Sequence, residues 1–306
     1  MKPILVLTGA SGFIGARLVE AAVLAGYDVH QLVRRIDRPA PAGVTQFLWD
    51  PASGTIDDAA LADAYGVICL NGVGLLDRPW TASYKQALWR SRLDSVRTLV
   101  TAFARTCTPQ VFISGSAIGF YGPDRGDELL SEGSSRGEGF LAELCNAWES
   151  TALEAGELGV RTVLVRTGLV MGADGGMLAL LQHPYRIGLG AKLGGGMSWM
   201  STIARDDYVR AMLFILANQE ISGPVNMVNP EPIRNRDWHR LLARHVGRPA
   251  FLAVPSSILR LLAGEMAREA ILASQRVSPD ALLEHGFTFL APRVEDIFEH
   301  ELPMRR

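Results

Sequence analysis

Short apolar runs alternate with longer amphipathic segments through the first half of the chain. Runs rich in Val, Ile and Leu, with the length of buried strands, lie at 3–8, 28–34, 44–49, 67–71, 110–114 and 160–165. Patterns with helical periodicity lie at 13–25, 57–64, 82–105 and 140–157. Apolar strands separated by amphipathic helices are typical of a parallel sheet that is covered on both faces. The pattern therefore predicts an α/β fold with a doubly wound parallel sheet and right-handed crossovers.

The regular alternation ends after Gly168. Glycine-rich stretches at 172–176 and 188–196 flank a short helical segment, and a helix at about 205–218 precedes one more strand at 225–228. From Pro230 onward the pattern is mostly helical, and prolines separate short elements. We therefore predict a larger α/β domain and a smaller, mostly helical C-terminal lobe. The domain comprises residues 1–171 and about 198–229, and the lobe comprises 172–197 and 230–306.

A glycine-rich turn directly follows the first apolar strand and opens the first helix. Gly9 allows a tight turn, Gly12 lets a pyrophosphate approach the backbone, and Gly15 lets the helix pack close to the strand. The amide groups at the start of that helix face the phosphate charge. The turn predicts a Rossmann dinucleotide-binding site, with a purely structural glycine turn as the alternative. The residues that we expect to bind the dinucleotide here are Gly9, Ser11, Gly12, Phe13, Ile14 and Gly15.

The end of the second strand predicts which dinucleotide is bound. NAD-selective folds carry an acidic residue there, which accepts hydrogen bonds from the ribose 2′-hydroxyl. In this chain Arg34 and Arg35 stand at that point instead. Guanidinium groups bind a 2′-phosphate bidentately, whereas a carboxylate repels it. We therefore expect NADP(H) as the cofactor, and the alternative is a solvated strand end.

The bulk composition narrows the functional classes. The chain has 306 residues, 30 basic and 32 acidic side chains and a formal net charge of −2, which predicts neither a nucleic-acid partner nor binding to an anionic membrane. We expect neither a signal peptide nor a membrane span, because the first predicted strand begins at residue 3 and no apolar run reaches membrane length. Cys69, Cys107 and Cys145 are widely spaced and odd in number, which argues against a metal site or disulfide framework. We expect a cytoplasmic protein without a bound metal.

Several motifs together resemble a known family. They are Thr8 to Gly15, Asn71-Gly72-Val73-Gly74, Trp80-Thr81, Arg90-Ser91-Arg92, 140–145 with Trp148-Glu149, 166–170, 264–266, 274–277 and 286–287. The chain resembles the extended short-chain dehydrogenase/reductases, and more narrowly an atypical branch of epimerase-family proteins with a C-terminal domain of unassigned function. The resemblance covers essentially the whole chain. It implies that Arg92 reaches the cofactor phosphates and that Gly168, Leu169 and Val170 line the nicotinamide. A solvent-facing helix residue is the alternative for Arg92.

The end of the fourth strand is a further candidate for cofactor contact. Asn71, Gly72 and Val73 carry small side chains at the point where a strand edge would pass close to the dinucleotide. An ordinary turn explains the same residues equally well.

The sequence departs from this family at the usual catalytic helix. Typical members use Tyr-x-x-x-Lys, in which Lys lowers the pKa of the phenol and holds the ribose while Tyr exchanges a proton. If Glu149 marks the usual register, these positions are Leu141 and Cys145; one residue earlier they are Phe140 and Leu144. Neither register supplies a proton donor beside a cation. We therefore expect the usual tyrosine–lysine mechanism to be absent.

The serine-rich end of the fifth strand supplies the remaining polar candidates. Ser114 is expected near the cofactor, Ser116 is the best group to polarise a substrate oxygen, and Tyr121 is the nearby phenol. Simple packing or strand-end capping are the alternatives for Ser116 and Tyr121. The loop after Tyr121 carries acidic residues that could meet a substrate, although acidic loops are usually only solvated: Asp124, Asp127, Glu128 and Glu132. Asp206 and Asp207 are expected to serve the start of a helix.

Two functions of different class follow from these observations. The first is an NADP(H)-binding reductase or epimerase acting on a small polar or nucleotide-linked substrate. The second is a catalytically idle NADP(H) sensor, favoured by the absent Tyr–Lys pair and by the glycine-rich stretches. The sequence leaves the substrate open, and it leaves open whether the chain forms a homodimer.

Overall fold

The protein is described by a computed structural model that covers residues 2–37, 39–106 and 108–302, so Cys107 lies outside the described residues. The strands are β1 (Ile4–Thr8), β2 (Asp28–Val33), β3 (Val44–Asp50), β4 (Thr55–Ile56), β5 (Ala64–Cys69), β6 (Val111–Ala117), β7 (Asp124–Leu130), β8 (Arg161–Thr167), β9 (Leu169–Gly172), β10 (Ala191–Leu193), β11 (Trp199–Met200), β12 (Thr202–Ala204), β13 (Gly223–Met227), β14 (Ile233–Arg234), β15 (Leu252–Val254) and β16 (Ser274–Val277).

The helices account for most of the remaining chain. They are α1 (Phe13–Leu24), α2 (Ala82–Arg105), α3 (Phe140–Glu157), α4 (Gly176–Arg186), α5 (Arg205–Ala217), α6 (Asn235–His245), α7 (Ser256–Met266), α8 (Asp280–Glu284) and α9 (Val294–Glu301). Short 3-10 turns lie at Asp58–Leu61 and Ile118–Tyr121, and a π-turn lies at Ala267–Ile271. Among the residues described, no helix combines the length and the apolar composition that crossing a membrane requires.

The central sheet has the strand order β13-β8-β6-β5-β1-β2-β3-β4. The pairs β1–β2, β1–β5, β2–β3 and β5–β6 are parallel, and the edge pair β3–β4 is antiparallel. Strand order runs from β1 to β2 and β3 on one side, and from β5 to β6 and β8 on the other. This reversal next to β1 confirms the predicted doubly wound α/β fold, and Leu5, Val6 and Leu7 of β1 are completely buried.

The chain divides into two compact units that differ from the predicted domains. The first comprises Met1–Ser116, Leu144–Val165 and Met212–Pro224. The second comprises Ala117–Glu143, Arg166–Ala211 and Val225–Arg306, so it takes several segments that were predicted for the larger domain. A hydrophobic cluster within the second unit explains its extent, because Met171 and Leu178 pack in it together with Trp238, Ile297 and Phe298.

Two local predictions were wrong. The predicted helix at 57–64 is a 3-10 turn at Asp58–Leu61. At its start, the Asp57 carboxylate accepts a hydrogen bond from the Ala59 amide. The loop predicted after Tyr121 contains strand β7, which pairs in parallel with β16. Because most side chains of β7 are polar and exposed, its sequence lacks the apolar alternation of a half-buried strand.

Candidate functional site

The glycine-rich turn after β1 has little room for side chains. Gly9 has a φ of +68°, and a Cβ there would lie 3.0 Å from the Asn71 nitrogen. A Cβ on Gly15 would lie 2.1 Å from the Gly9 carbonyl oxygen, because the first turn of α1 packs directly on the strand end. The Gly12 amide donates to the same Gly9 oxygen over 3.0 Å. The conformation therefore requires glycine at 9 and 15.

The first turn of α1 offers a favourable environment for an anion. Gly12 is the N-cap, and no acidic side chain occupies the first turn. Ser11 and Gly12 are exposed, while Phe13 and Ile14 are partly buried. The first amides of a helix lack intrahelical acceptors and carry the positive end of the helix dipole. Phosphate oxygens are the ligands that such a turn is suited to hold.

Arg34 and Arg35 follow β2, the neighbour of β1 in the sheet. Both side chains are exposed. Within the described ranges, neither forms an ion pair or a hydrogen bond with another residue. The strands β1 and β2 are parallel, so Arg34 and Arg35, which follow β2, come at the same edge of the sheet as the glycine-rich turn that follows β1.

Asn71 is held by both neighbouring elements rather than projecting freely. Its Oδ1 accepts from the Thr8 hydroxyl at 2.6 Å, and its Nδ2 donates to the Ser91 carbonyl at 3.3 Å and also to the Ser95 hydroxyl. The Asn71 side chain thereby ties the end of β5 to β1 and to α2. Gly72 and Val73, the next residues, are exposed.

Arg92 of α2 lies against the loop that follows β5. Its Nη2 donates to the Val73 carbonyl at 3.1 Å and its Nη1 to the Leu88 carbonyl at 3.0 Å. Its guanidinium carbon lies 5.4 Å from the ring centre of Trp148 and 3.2 Å from where a Cβ on Gly72 would stand. Burial lowers the pKa of the guanidinium, but an arginine stays charged at neutral pH.

The serines at the end of β6 are buried. The Ser114 hydroxyl donates to the Gly115 carbonyl at 3.2 Å, and the Ser116 hydroxyl donates to Glu149 Oε1 at 2.6 Å. Glu149 is itself buried. A Cβ on Gly115 would lie 2.8 Å from Trp148, so the Trp148 indole can pack here only because residue 115 has no side chain. The hydrogen of Ser116 is therefore directed at a carboxylate of α3.

Helix α3 contains neither tyrosine nor lysine. At the positions where the family resemblance expects the catalytic pair, the chain has apolar or thiol side chains that are mostly buried. Leu141, Leu144 and Cys145 are buried, and Phe140 is partly exposed.

Tyr121 lies in the second unit at the centre of a buried polar network. Its hydroxyl lies 2.7 Å from Asn226 Oδ1 and 2.9 Å from the Ser131 carbonyl, and Arg166 donates to it at 3.0 Å. Burial raises the pKa of the phenol to about 12. The Tyr121 side chain is completely buried. These contacts and this pKa weigh against exchange of a proton with a substrate.

Gly168, Leu169 and Val170 also belong to the second unit. A Cβ on Gly168 would lie 2.6 Å from Val228 and 2.7 Å from the Ser201 carbonyl, so no larger residue fits there. Leu169 and Val170 begin β9, which pairs in parallel with β12. Their expected place beside a nicotinamide stays a prediction.

Sequence reasoning named Asp127 as a candidate but missed the cluster around Trp199 that it belongs to in the second unit. The indole donates to Asp127 at 2.9 Å, and guanidinium groups lie on the ring at 3.9 Å for Arg234 and 4.8 Å for Arg276. The four residues are far apart in sequence, so no local pattern groups them. The only available signal is the residue types, because an indole ring is a common partner for arginine and aspartate side chains. Across the described ranges, no group of three or more potential metal ligands is present.

Asp207 does not cap its own helix as the sequence suggested. Its carboxylate is fully buried and accepts from the amides of Leu290 and Ala291, each at 2.8 Å, and from Arg210 at 2.7 Å. The side chain therefore anchors a distant loop of the second unit.

The chain matches two family models. One, described as the NAD dependent epimerase/dehydratase family, matches residues 5–229, and one described as a domain of unknown function matches 254–301. An epimerase family protein of Mycobacterium leprae is 39% identical over 288 residues, 94% of this chain and 92% of that protein. One of Staphylococcus haemolyticus is 34% identical over 301 residues, 98% of each.

Solved structures show the same fold. A human epimerase family protein crystallised with NADPH is 24% identical, with a TM-score of 0.84 over 97% of this chain and 98% of that chain. A nucleoside-diphosphate sugar epimerase of Corynebacterium glutamicum is 34% identical, with a TM-score of 0.80, and covers 99% of this chain and 58% of that chain.

Proposed function

The chain belongs to the NAD dependent epimerase/dehydratase family, and from that premise we propose that it is an NADP(H)-binding reductase or epimerase. Its substrate is a small polar or nucleotide-linked molecule, a class supported by the name of the 34% identical nucleoside-diphosphate sugar epimerase. The neutral charge balance and the cysteine spacing support a cytoplasmic protein without a nucleic-acid partner.

The observation that carries this proposal is the arrangement along the β1–β2 edge. The turn at Gly9 and Gly15 excludes side chains, α1 begins without a competing carboxylate, and the exposed Arg34 and Arg35 stand after β2. A pyrophosphate fits the turn, and a 2′-phosphate fits the guanidinium groups. The human family member crystallised with NADPH supports the same choice of coenzyme.

The proposed chemistry is hydride transfer, which the nicotinamide supplies when it is bound. The protein's share is binding and orientation. Ser116 keeps its hydrogen on Glu149, so its lone pairs are the groups left to accept a hydrogen bond from a substrate hydroxyl. Tyr121 is a structural residue in this proposal, because its hydroxyl is fully engaged by its own unit. The proposed mechanism does without a Tyr-x-x-x-Lys pair.

A catalytically idle NADP(H) sensor is the second candidate. The observation that favours it is α3, where the family's tyrosine and lysine positions hold buried apolar and thiol groups. Such a protein would keep the coenzyme site and lose the proton-transfer groups.

Calorimetric titration with NADPH and NADH tests the coenzyme. We expect wild-type protein to prefer NADPH, and Arg34→Ala combined with Arg35→Ala to reduce NADPH affinity by about 10- to 100-fold with little effect on NADH. Arg90→Ala is the matched control, because Arg90 is an exposed arginine of α2. Equal wild-type affinity for both coenzymes would contradict the NADP(H) proposal, and no heat with either would contradict coenzyme binding altogether.

Turnover separates enzyme from sensor. NADPH oxidation is followed with a panel of carbonyl compounds. Epimer formation from sugar nucleotides is followed separately with NADP⁺ present, because epimerisation consumes no net coenzyme. Turnover in either assay that Ser116→Ala abolishes, with coenzyme affinity retained, supports the enzyme. Tight NADPH binding without turnover on any compound favours the sensor.

A further inference from the structure

A cavity of about 470 Å³ opens at the end of α6 in the second unit. Arg240, Arg244 and Arg248 line it, and the remaining lining residues are alanine, glycine and proline. None of the described residues that line the cavity is acidic, and none is a residue assigned above to the coenzyme. Small-molecule sites commonly have a volume in this range, with an apolar surface and a few converging polar groups. The cavity therefore combines a concave shape with charge of a single sign.

Helical spacing explains why two of these arginines converge. Arg240 and Arg244 stand four residues apart in α6, so they lie on one face of the helix. Both are exposed, whereas Trp238 and Leu242 are buried on the opposite face. The burial of that apolar face therefore fixes the side of α6 from which the two arginines project.

The turn after α6 brings the third arginine to the same place. Gly247 has a φ of +65°, which lets the chain reverse just beyond the helix end. The Arg248 amide donates to the Ala243 carbonyl at 3.1 Å. Its Nε donates to the Arg186 carbonyl at 3.2 Å, which holds the guanidinium between the ends of α6 and α4. The two terminal nitrogens of Arg248 form no hydrogen bond within the described ranges, so they are available to a ligand.

The charge of these arginines is only partly neutralised. The Arg244 guanidinium forms no hydrogen bond or ion pair with any residue that the structure describes. Arg240 donates to Asp237 at 3.2 Å, but that carboxylate also pairs with Arg236 at 3.4 Å. The end of a helix carries about half a unit of negative charge, so Asp237 and the end of α6 together leave the three arginines an excess of about 1.5 positive charges.

We propose that this cavity binds a small phosphorylated molecule, in addition to the coenzyme and independently of the proposed function. Phosphate oxygens accept paired hydrogen bonds from guanidinium groups, and several neighbouring arginines match a group with two or more negative charges. The concave shape favours a free molecule over an anionic membrane, whose phosphates form a flat surface. The competing explanation is structural, because arginines in the last turn of a helix also stabilise its dipole.

Titration with inorganic pyrophosphate tests the cavity, with the backbone amide NMR signals of Gly247 and Ala250 as the local readout. We expect saturable shifts in wild type that weaken as salt is added. Arg244→Gln should reduce pyrophosphate affinity by about 5- to 10-fold, and its combination with Arg240→Gln by at least about 20-fold. Arg260→Gln is the matched control, because it removes the same charge from an exposed arginine of α7 that does not line the cavity. It should change the affinity by less than about twofold.

Thermal melting without ligand confirms that each variant is folded. Shifts that do not saturate, or equal weakening by Arg244→Gln and Arg260→Gln, would overturn the inference, because the arginines would then act only as general surface charge. Binding to vesicles of phosphatidylcholine with phosphatidic acid, without a response to pyrophosphate, would overturn it as well.

NADPH affinity separates this inference from the proposed function. We expect Arg244→Gln combined with Arg240→Gln to leave NADPH affinity within about twofold of wild type, because neither arginine is assigned to the coenzyme. A loss of NADPH affinity equal to that of pyrophosphate would assign the arginines to the coenzyme and overturn the inference. Wild type that binds pyrophosphate at this cavity but no pyridine nucleotide would support the inference and overturn the proposed function.

Discussion

At the scale of residues, the glycine-rich turn after β1 is the most tightly constrained feature, because backbone atoms lie where the side chains of other residues would begin. The requirement at Gly9 and Gly15 was readable from sequence, since the turn follows a strand and opens a helix. The burial of Tyr121 was not readable. Its partner Asn226 stands 105 positions away, and no local pattern announces that contact.

Gly15→Ala tests the close approach of α1 to the strand end. A Cβ would meet the Gly9 carbonyl at 2.1 Å, and this atom belongs to backbone that cannot rotate away. We expect a loss of about 3 kcal/mol in the free energy of unfolding, as in overpacked cores, together with loss of NADPH binding. Urea unfolding and calorimetry measure the two effects.

Gly156→Ala is the matched control for this change. Gly156 also lies in a helix, but nothing stands within 4 Å of its added Cβ. Alanine should stabilise α3 by up to about 1 kcal/mol, because it has the higher helix propensity. If both glycine variants unfold alike, the close packing at Gly15 is not what the turn requires.

At the scale of elements, the sequence predicted the parts that repeat an apolar pattern. The helices predicted at 82–105 and 140–157 coincide with α2 and α3, and the strands around β1 are within a few residues. The same reasoning failed at β7, whose polar residues pair with a strand about 150 positions later. It also failed at Asp207, because a carboxylate near a helix start reveals nothing about loop amides 83 and 84 positions away.

Asp207→Asn tests this anchoring of one element by another. An asparagine retains one acceptor, loses the ion pair with Arg210 and places an amide donor against a backbone amide. We expect a loss of about 3 kcal/mol in the free energy of unfolding. Amide hydrogen exchange at Leu290 and Ala291 should accelerate in the variant.

Asp206→Asn provides the comparison on the same turn. Its carboxylate is 26% exposed and pairs with His300 at 3.1 Å, so its loss should cost less than about 1 kcal/mol. Equal destabilisation by the two variants would mean that Asp207 acts only on the dipole of α5.

At the scale of the whole molecule, the free energy of unfolding changes with pH through acidic groups whose pKa values are shifted in opposite directions. Burial raises the pKa of Glu132 from its ordinary value of 4.5, although the Asn226 and Ala281 amides partly offset this effect. A carboxyl whose pKa is raised in the folded state stabilises folding at pH values below its ordinary pKa. That stabilisation is lost as pH rises through the raised pKa. Asp127, hydrogen-bonded by Trp199 and Arg234, has a lowered pKa, and its contribution is lost as pH falls.

Glu132→Gln isolates the first of these effects. Because glutamine does not titrate, we expect the stability of wild type relative to the variant to decline between pH 4.5 and neutral pH. Urea unfolding at several pH values measures the difference. A flat difference for Glu132→Gln would show that burial does not perturb the Glu132 carboxyl in the folded state.

The C-terminal residues pack with segments of the second unit that lie much earlier in the sequence. Met171, Leu178 and Tyr185 share a buried cluster with Trp238 and Phe298.

A chain ending at residue 229 keeps every segment of the first unit but removes most of that cluster's remaining members. We expect helix α4 to lose most of its hydrogen-exchange protection in the shortened chain, because most of the residues that its buried face packs against are removed. The central strands β1, β2 and β5 belong wholly to the first unit and should retain more protection. Full protection of α4 in the shortened chain would mean that residues 172–197 fold with the preceding α/β domain, an outcome that neither the predicted division nor the observed one allows.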